Sequence, residues 1–115
     1  MIKKIDERYK LIVFIVGKGR SREVLRACKK AGAEGGTVLR GTGTGIHNTG
    51  SFLGIKFEPE KDVILCLSTD KFVDKLLDRV TAAAGLDEPG RGIAFVLDSP
   101  SVTGISHLLK RDFEQ

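Results

Sequence analysis

The chain has 115 residues and a mass of 12.5 kDa, enough for one domain and too little for two that each bury a core. Hydrophobic residues at 41% and charged residues at 30% exclude wholesale disorder. The net charge of +4 permits an anionic ligand without demanding nucleic acid, and the lack of Trp, with only 6% aromatics, weighs against base stacking or an aromatic cage.

In chain order, residues Tyr9 to Val16 (YKLIVFIV) read as a strand, closed by Gly17-Lys18-Gly19-Arg20. The opening Met1-Ile2-Lys3-Lys4-Ile5-Asp6 turns charged before a signal-peptide core could form, and the longest apolar run, Leu11 to Val16, is far short of the roughly 20 residues of a membrane span. A soluble cytoplasmic protein without direct membrane insertion is expected. Ser21 stands where a helix N-cap belongs, and Val24, Leu25, Ala27, Cys28 and Ala31 line one helical face up to Gly32. Thr37-Val38-Leu39 reads as a short strand that runs into Gly41-Thr42-Gly43-Thr44-Gly45, and the chain is then expected to loop to about Phe57. Asp62 to Leu67 (DVILCL) is the third strand. Ser68 or Thr69 caps a second helix whose apolar face is Phe72, Val73, Leu76, Leu77 and Val80, with Gly85 at its end. Ile93 to Leu97 (IAFVL) is the fourth strand, and Val102 to Leu109 adds a short strand or helical turn.

The order β-α-β-β-α-β predicts an α+β, ferredoxin-like sandwich occupying residues 1–115 as a single domain. Its four-stranded antiparallel sheet carries two helices on one face. A sheet covered on one face only should alternate apolar and polar residues. LIVFIV, VILCL and IAFVL do not alternate, so the second face is expected to be buried by further copies of the chain.

The glycine clusters are the conspicuous local features. Gly41 to Gly45 is neither a phosphate-binding P-loop nor a dinucleotide fingerprint. It offers bare backbone N–H groups and two hydroxyls to an anion, or it is simply the hinge of a long loop. Glu88-Pro89-Gly90-Arg91-Gly92 is either a tight turn into the fourth strand or a wrap around a phosphate with Arg91 supplying charge. Lys18, Arg20 and Arg22 read as a solvated basic group. Two cysteines, Cys28 and Cys66, fall in apolar segments and read as reduced core thiols; with only His47 and His107 beside them, no metal-ligand set forms. No catalytic constellation stands out, so no enzyme and no catalytic residue are expected.

Gly36-Thr37-Val38, Gly41-x-Gly43 opening a long loop, and Gly90-x-Gly92 followed by Phe95-Val96 resemble the PII nitrogen-regulatory signal-transduction family, over roughly Tyr9 to Ser106. The resemblance implies a homotrimer of ferredoxin-like domains with inward-facing sheets. It implies adenine nucleotides (ADP, AMP or ATP) bound as effectors between subunits, and a mobile T-loop, here Gly41 to Phe57, that docks onto a target protein, a transporter or an enzyme. Carried over residue by residue, Thr37 contacts the nucleotide, Gly41 and Gly43 form the loop base beside the phosphates, and Gly90 and Gly92 meet the phosphates from the neighbouring strand, which carries Phe95. Arg91 stands between those glycines at a variable position. The family's lysine after the second glycine is Ile93 here, and two phosphate-binding arginines align with Gly104 and Ser106. The loop has no tyrosine, which excludes uridylylation there. Two alternatives share the topology: a CutA-like trimeric metal-binding protein, disfavoured by the scarcity of His and Cys, and an RNA-binding module, disfavoured by strands that lack exposed aromatic and basic residues.

Overall fold

The computed structural model describes residues 9–33, 35–43, 51–52, 55–56 and 60–104. Strand β1 (Tyr9–Gly17) leads into helix α1 (Ser21–Lys30), then β2 (Thr37–Thr42), a two-residue pair β3 (Ser51–Phe52) and β4 (Ile55–Lys56), β5 (Glu60–Thr69), helix α2 (Val73–Ala84) and β6 (Gly92–Asp98). The main sheet has the order β2-β5-β1-β6 with every neighbouring pair antiparallel. This is the α+β arrangement expected.

Register divides the sheet's side chains cleanly. Ile12, Phe14 and Val16 of β1 lie opposite Cys66, Ile64 and Asp62 of β5, and all six are buried on the helix side. Val24, Ala27, Cys28 and Ala31 from α1 and Val73, Leu76, Val80 and Ala84 from α2 complete one core with them. The period-3.6 apolar stripe of each helix therefore meets the period-2 stripe of each strand. On the other face, the rows Leu39–Val63–Ile15–Ile93 and Thr37–Leu65–Val13–Phe95 cross the whole sheet, followed by Leu67–Leu11–Leu97. Leu39, Ile93, Phe95 and Leu97 there are 49%, 58%, 41% and 47% exposed, so no described part of the chain covers them.

Several boundaries differ from the sequence reading. β2 continues to Thr42 and β5 starts at Glu60, because Gly41 and Thr42 find ladder partners in Lys61 and Glu60. Gly41 is thus inside a strand, and the segment to Phe57 contains the β3–β4 pairing of Ser51 with Lys56 and Phe52 with Ile55. Residues 102–104 adopt neither strand nor helix, and the rest of the expected segment to Leu109 lies outside the described residues.

Ser21 is not the cap of α1. Arg20 holds the N-cap position and supplies no side-chain cap bond. The carboxylate of Asp62, buried in β5, takes that role by accepting from Gly19 N at 3.0 Å and Ser21 N at 3.3 Å. Neither Ser68 nor Thr69 caps α2: a 3-10 turn, Asp70–Phe72, intervenes, no side chain bonds its start, and the Ser68 hydroxyl donates to the Thr69 carbonyl. At the other end of α2, Gly85 adopts the left-handed conformation (φ 69°), the helix stop expected of it.

Gly92 is fixed by sterics. At φ +144°, a Cβ there would stand 2.7 Å from the Ile15 carbonyl oxygen and 2.9 Å from Val16 Cγ1. Gly92→Ala should therefore cost about 2 kcal/mol of stability in urea unfolding, through overpacking and backbone strain; an unchanged midpoint would contradict this. Asp62→Ala leaves two amides and a guanidinium without their charged acceptor. It should cost about 3 kcal/mol at fixed protein concentration, with Asp62→Asn between it and the parent; a loss below about 0.5 kcal/mol would show that the carboxylate does not hold α1.

Candidate functional site

The polar features cluster at one end of the sheet. Gly17 pairs with Lys61, which pairs with Gly41, and Val16 pairs with both Asp62 and Gly92. The β1–α1 loop, the end of β2 and the start of β6 therefore share that end.

Asp62 is the hub. Besides the two amides of the β1–α1 loop, its other carboxylate oxygen faces Arg40 Nε of β2 at 3.0 Å. Asp62 is fully buried, whereas the Arg40 side chain is 63% exposed. One carboxylate thus ties the loop, α1 and the edge strand leading to Gly41 and Gly43. Next to it, Lys18 Nζ meets Glu60 at 2.7 Å. The hydrogen bond from Lys18, reinforced by its charge, holds the Glu60 carboxyl below its ordinary range.

Arg20 is not solvated as the sequence suggested. Its guanidinium grips Glu23 Oε1 at 2.6 Å and donates to the Ala84 carbonyl at 2.9 Å. Arg91 Nε donates to the same carbonyl at 3.2 Å. Ala84 ends α2, which has no basic residue in its own last turn, so two arginines from elsewhere neutralise the negative end of the helix. Around them opens a cleft of about 510 Å³ lined by Gly19, Arg20, Arg22, Glu23, Arg26 and Arg91.

The seven residues singled out in the sequence fall on two opposite edges. Thr37 and Gly41 lie in edge strand β2, with Gly43 just beyond it. Gly90 and Arg91 lead into edge strand β6, which contains Gly92 and Phe95. Thr37 and Phe95 even share a row and a face, through Leu65 and Val13. Three strand spacings, about 14 Å, separate the edges. The chain brings each set together and does not bring the two sets into one pocket. Ile93 projects from the open face. Gly104 is described but Ser106 is not, and His47 and His107 also lie outside the described residues.

Sequence reasoning missed Asp62, Arg40 and the pairing of Arg20 with Arg91 on Ala84. The one signal available was a carboxylate at the head of an apolar strand, a position where a charge needs a partner. Cys28 and Cys66 are buried as expected. The hydrogen bond with Cys66, together with burial, pushes the Cys28 thiol up, which keeps it an inert core thiol. Among the described residues no group of three or more His, Cys, Asp or Glu could hold a metal ion, and no helix is long and apolar enough to cross a membrane.

The model of the family described as Nitrogen regulatory protein P-II matches residues 9–107. No curated protein matches the chain. The match takes in both glycine-bearing edges, all four strands of the main sheet and both helices, and on that ground the chain belongs to the P-II nitrogen regulatory protein family.

Proposed function

We propose that the protein is a non-enzymatic regulator, a homotrimer that binds an adenine nucleotide between subunits and signals through the segment Gly41 to Phe57 to a target protein. Nitrogen regulation is the setting that family membership favours. The observation that carries this reading is the placement of the candidate residues on opposite edges of a sheet whose outer face is bare. One copy cannot close a pocket around Thr37, Gly41 and Gly43 on one side and Gly90, Gly92 and Phe95 on the other. Two copies packed face to face can, by setting the β2 edge of one beside the β6 edge of the next. The apolar rows give those copies a reason to associate.

In such a cleft, backbone amides near Gly41 and Gly90 would approach phosphate oxygens, and Phe95 would supply an apolar wall. Ile93 and Gly104 offer no cation where the family carries lysine and arginine. Each charge-assisted hydrogen bond lost is worth about 1.5–3 kcal/mol. Triphosphate should gain little over diphosphate or monophosphate here. The open face itself is aliphatic, with Phe95 as its exposed aromatic residue, which favours a subunit interface over an RNA-stacking surface.

Isothermal titration of the protein with ATP, ADP and AMP tests the reading. At least one nucleotide should bind with sub-millimolar affinity, ATP should exceed ADP by less than tenfold, and Gly41→Val should weaken the binding. No heat at millimolar concentration of any of the three would overturn it.

A further inference from the structure

The arginine cleft lies on the helix side of the molecule, away from the open sheet face. Four guanidinium groups, Arg20, Arg22, Arg26 and Arg91, surround it with one carboxylate, Glu23, among them. The cleft thus concentrates three of the excess positive charges of a chain whose net charge is only +4. Glu23 is already taken by Arg20. Arg22 and Arg26 stand one turn apart on the exposed side of α1, and neither has an ion-pair or hydrogen-bond partner among the described residues. Like charges four residues apart weaken a helix, so their shared placement beside two further arginines is a local liability without an anion.

We infer that this cleft is a second effector site, for a compact phosphate compound carrying at least two phosphate groups. It goes beyond the nucleotide cleft proposed between subunits. Guanidinium forks match phosphate oxygens two at a time. With Arg20 held by Glu23 and Ala84, the forks of Arg22 and Arg26 and the remaining N–H groups of Arg91 suit more than one phosphate. The lining has no aromatic or aliphatic side chain to grip a base or a fatty chain, so recognition falls on the charged groups. At the entry to α1, Gly19 N and Ser21 N are already engaged by Asp62. The volume, about 510 Å³, is in the range of small-molecule sites and accommodates a pyrophosphate or a sugar bisphosphate.

Arg91 gives the site a route to the rest of the molecule. It sits between Gly90 and Gly92 and rests on the Ala84 carbonyl. A phosphate in the cleft competes for that guanidinium, and moving it moves the glycine loop at the start of β6.

The test is titration calorimetry with inorganic pyrophosphate, on the parent protein and on a double variant with Arg22→Gln and Arg26→Gln. Both side chains are exposed, so the variant should fold, and its unfolding midpoint checks that. The site predicts sub-millimolar binding by the parent and at least a tenfold loss in the variant, with affinity falling as salt rises. Chemical-shift changes should centre on Arg20, Arg26 and Arg91. Equal affinity in the two proteins, or shifts centred on Gly41 and Gly43, would overturn the inference while leaving the intersubunit cleft intact. Absence of pyrophosphate binding would overturn it too, as would a cleft that binds only an acidic peptide, which would reassign it to a protein partner. ADP affinity that is unchanged in the double variant keeps the two sites separate.

Discussion

A sheet with two apolar faces and helices for only one of them is the constraint on which the rest of the molecule depends. The helix side holds a single core of buried residues, nearly all from β1, β5, α1 and α2. The opposite side presents three largely apolar rows, on which Leu39, Ile93, Phe95 and Leu97 are left exposed by the described residues. Burying one Leu or Ile contributes about 1.5–3 kcal/mol, so covering several of them is comparable with the marginal stability of a whole domain. On the proposed reading, association completes the sheet, and it also completes any ligand site that needs both sheet edges.

At one end of that sheet, backbone polarity is handled by charges brought in from a distance. Asp62 caps α1 from another strand and holds Arg40 beside the end of β2. Arg20 and Arg91 close the carboxyl end of α2. The same few residues thus fix the β1–α1 loop, the root of the segment beginning at Gly41, and the turn through Gly90. Any ligand or partner that engages one of these charges acts on structure shared with the others. On the proposed reading, that physical linkage joins the effector site to the docking segment.

How much of this was legible in the sequence follows from how local each cause is. Element order, the apolar stripes of both helices, the stop at Gly85 and the bare second face were readable, because periodicity and left-handed glycine are local signals. The cap of α1 was not, because Asp62 lies 41 residues from Ser21, and a serine in the right place gave the more obvious answer. The length of β2 depended on ladder partners in β5. For Gly92 the sequence favoured a turn slightly over a phosphate contact, and the close approach of the Ile15 carbonyl supplies a third reason. Arg20 looked like solvated surface because its acceptor, Ala84, is 64 residues away. The candidate ligand residues were named by family resemblance, and their division between two edges became visible only once the strand order was known.

Sedimentation equilibrium of the protein at micromolar concentration tests the central claim most directly. The parent should sediment as three copies of the 12.5 kDa chain, and Leu97→Glu, which puts a charge on the open face, should shift it toward a single copy. A parent that sediments as one chain, or a Leu97→Glu variant with undiminished mass, would contradict the account, because the apolar face would then be tolerated by water or covered in another way.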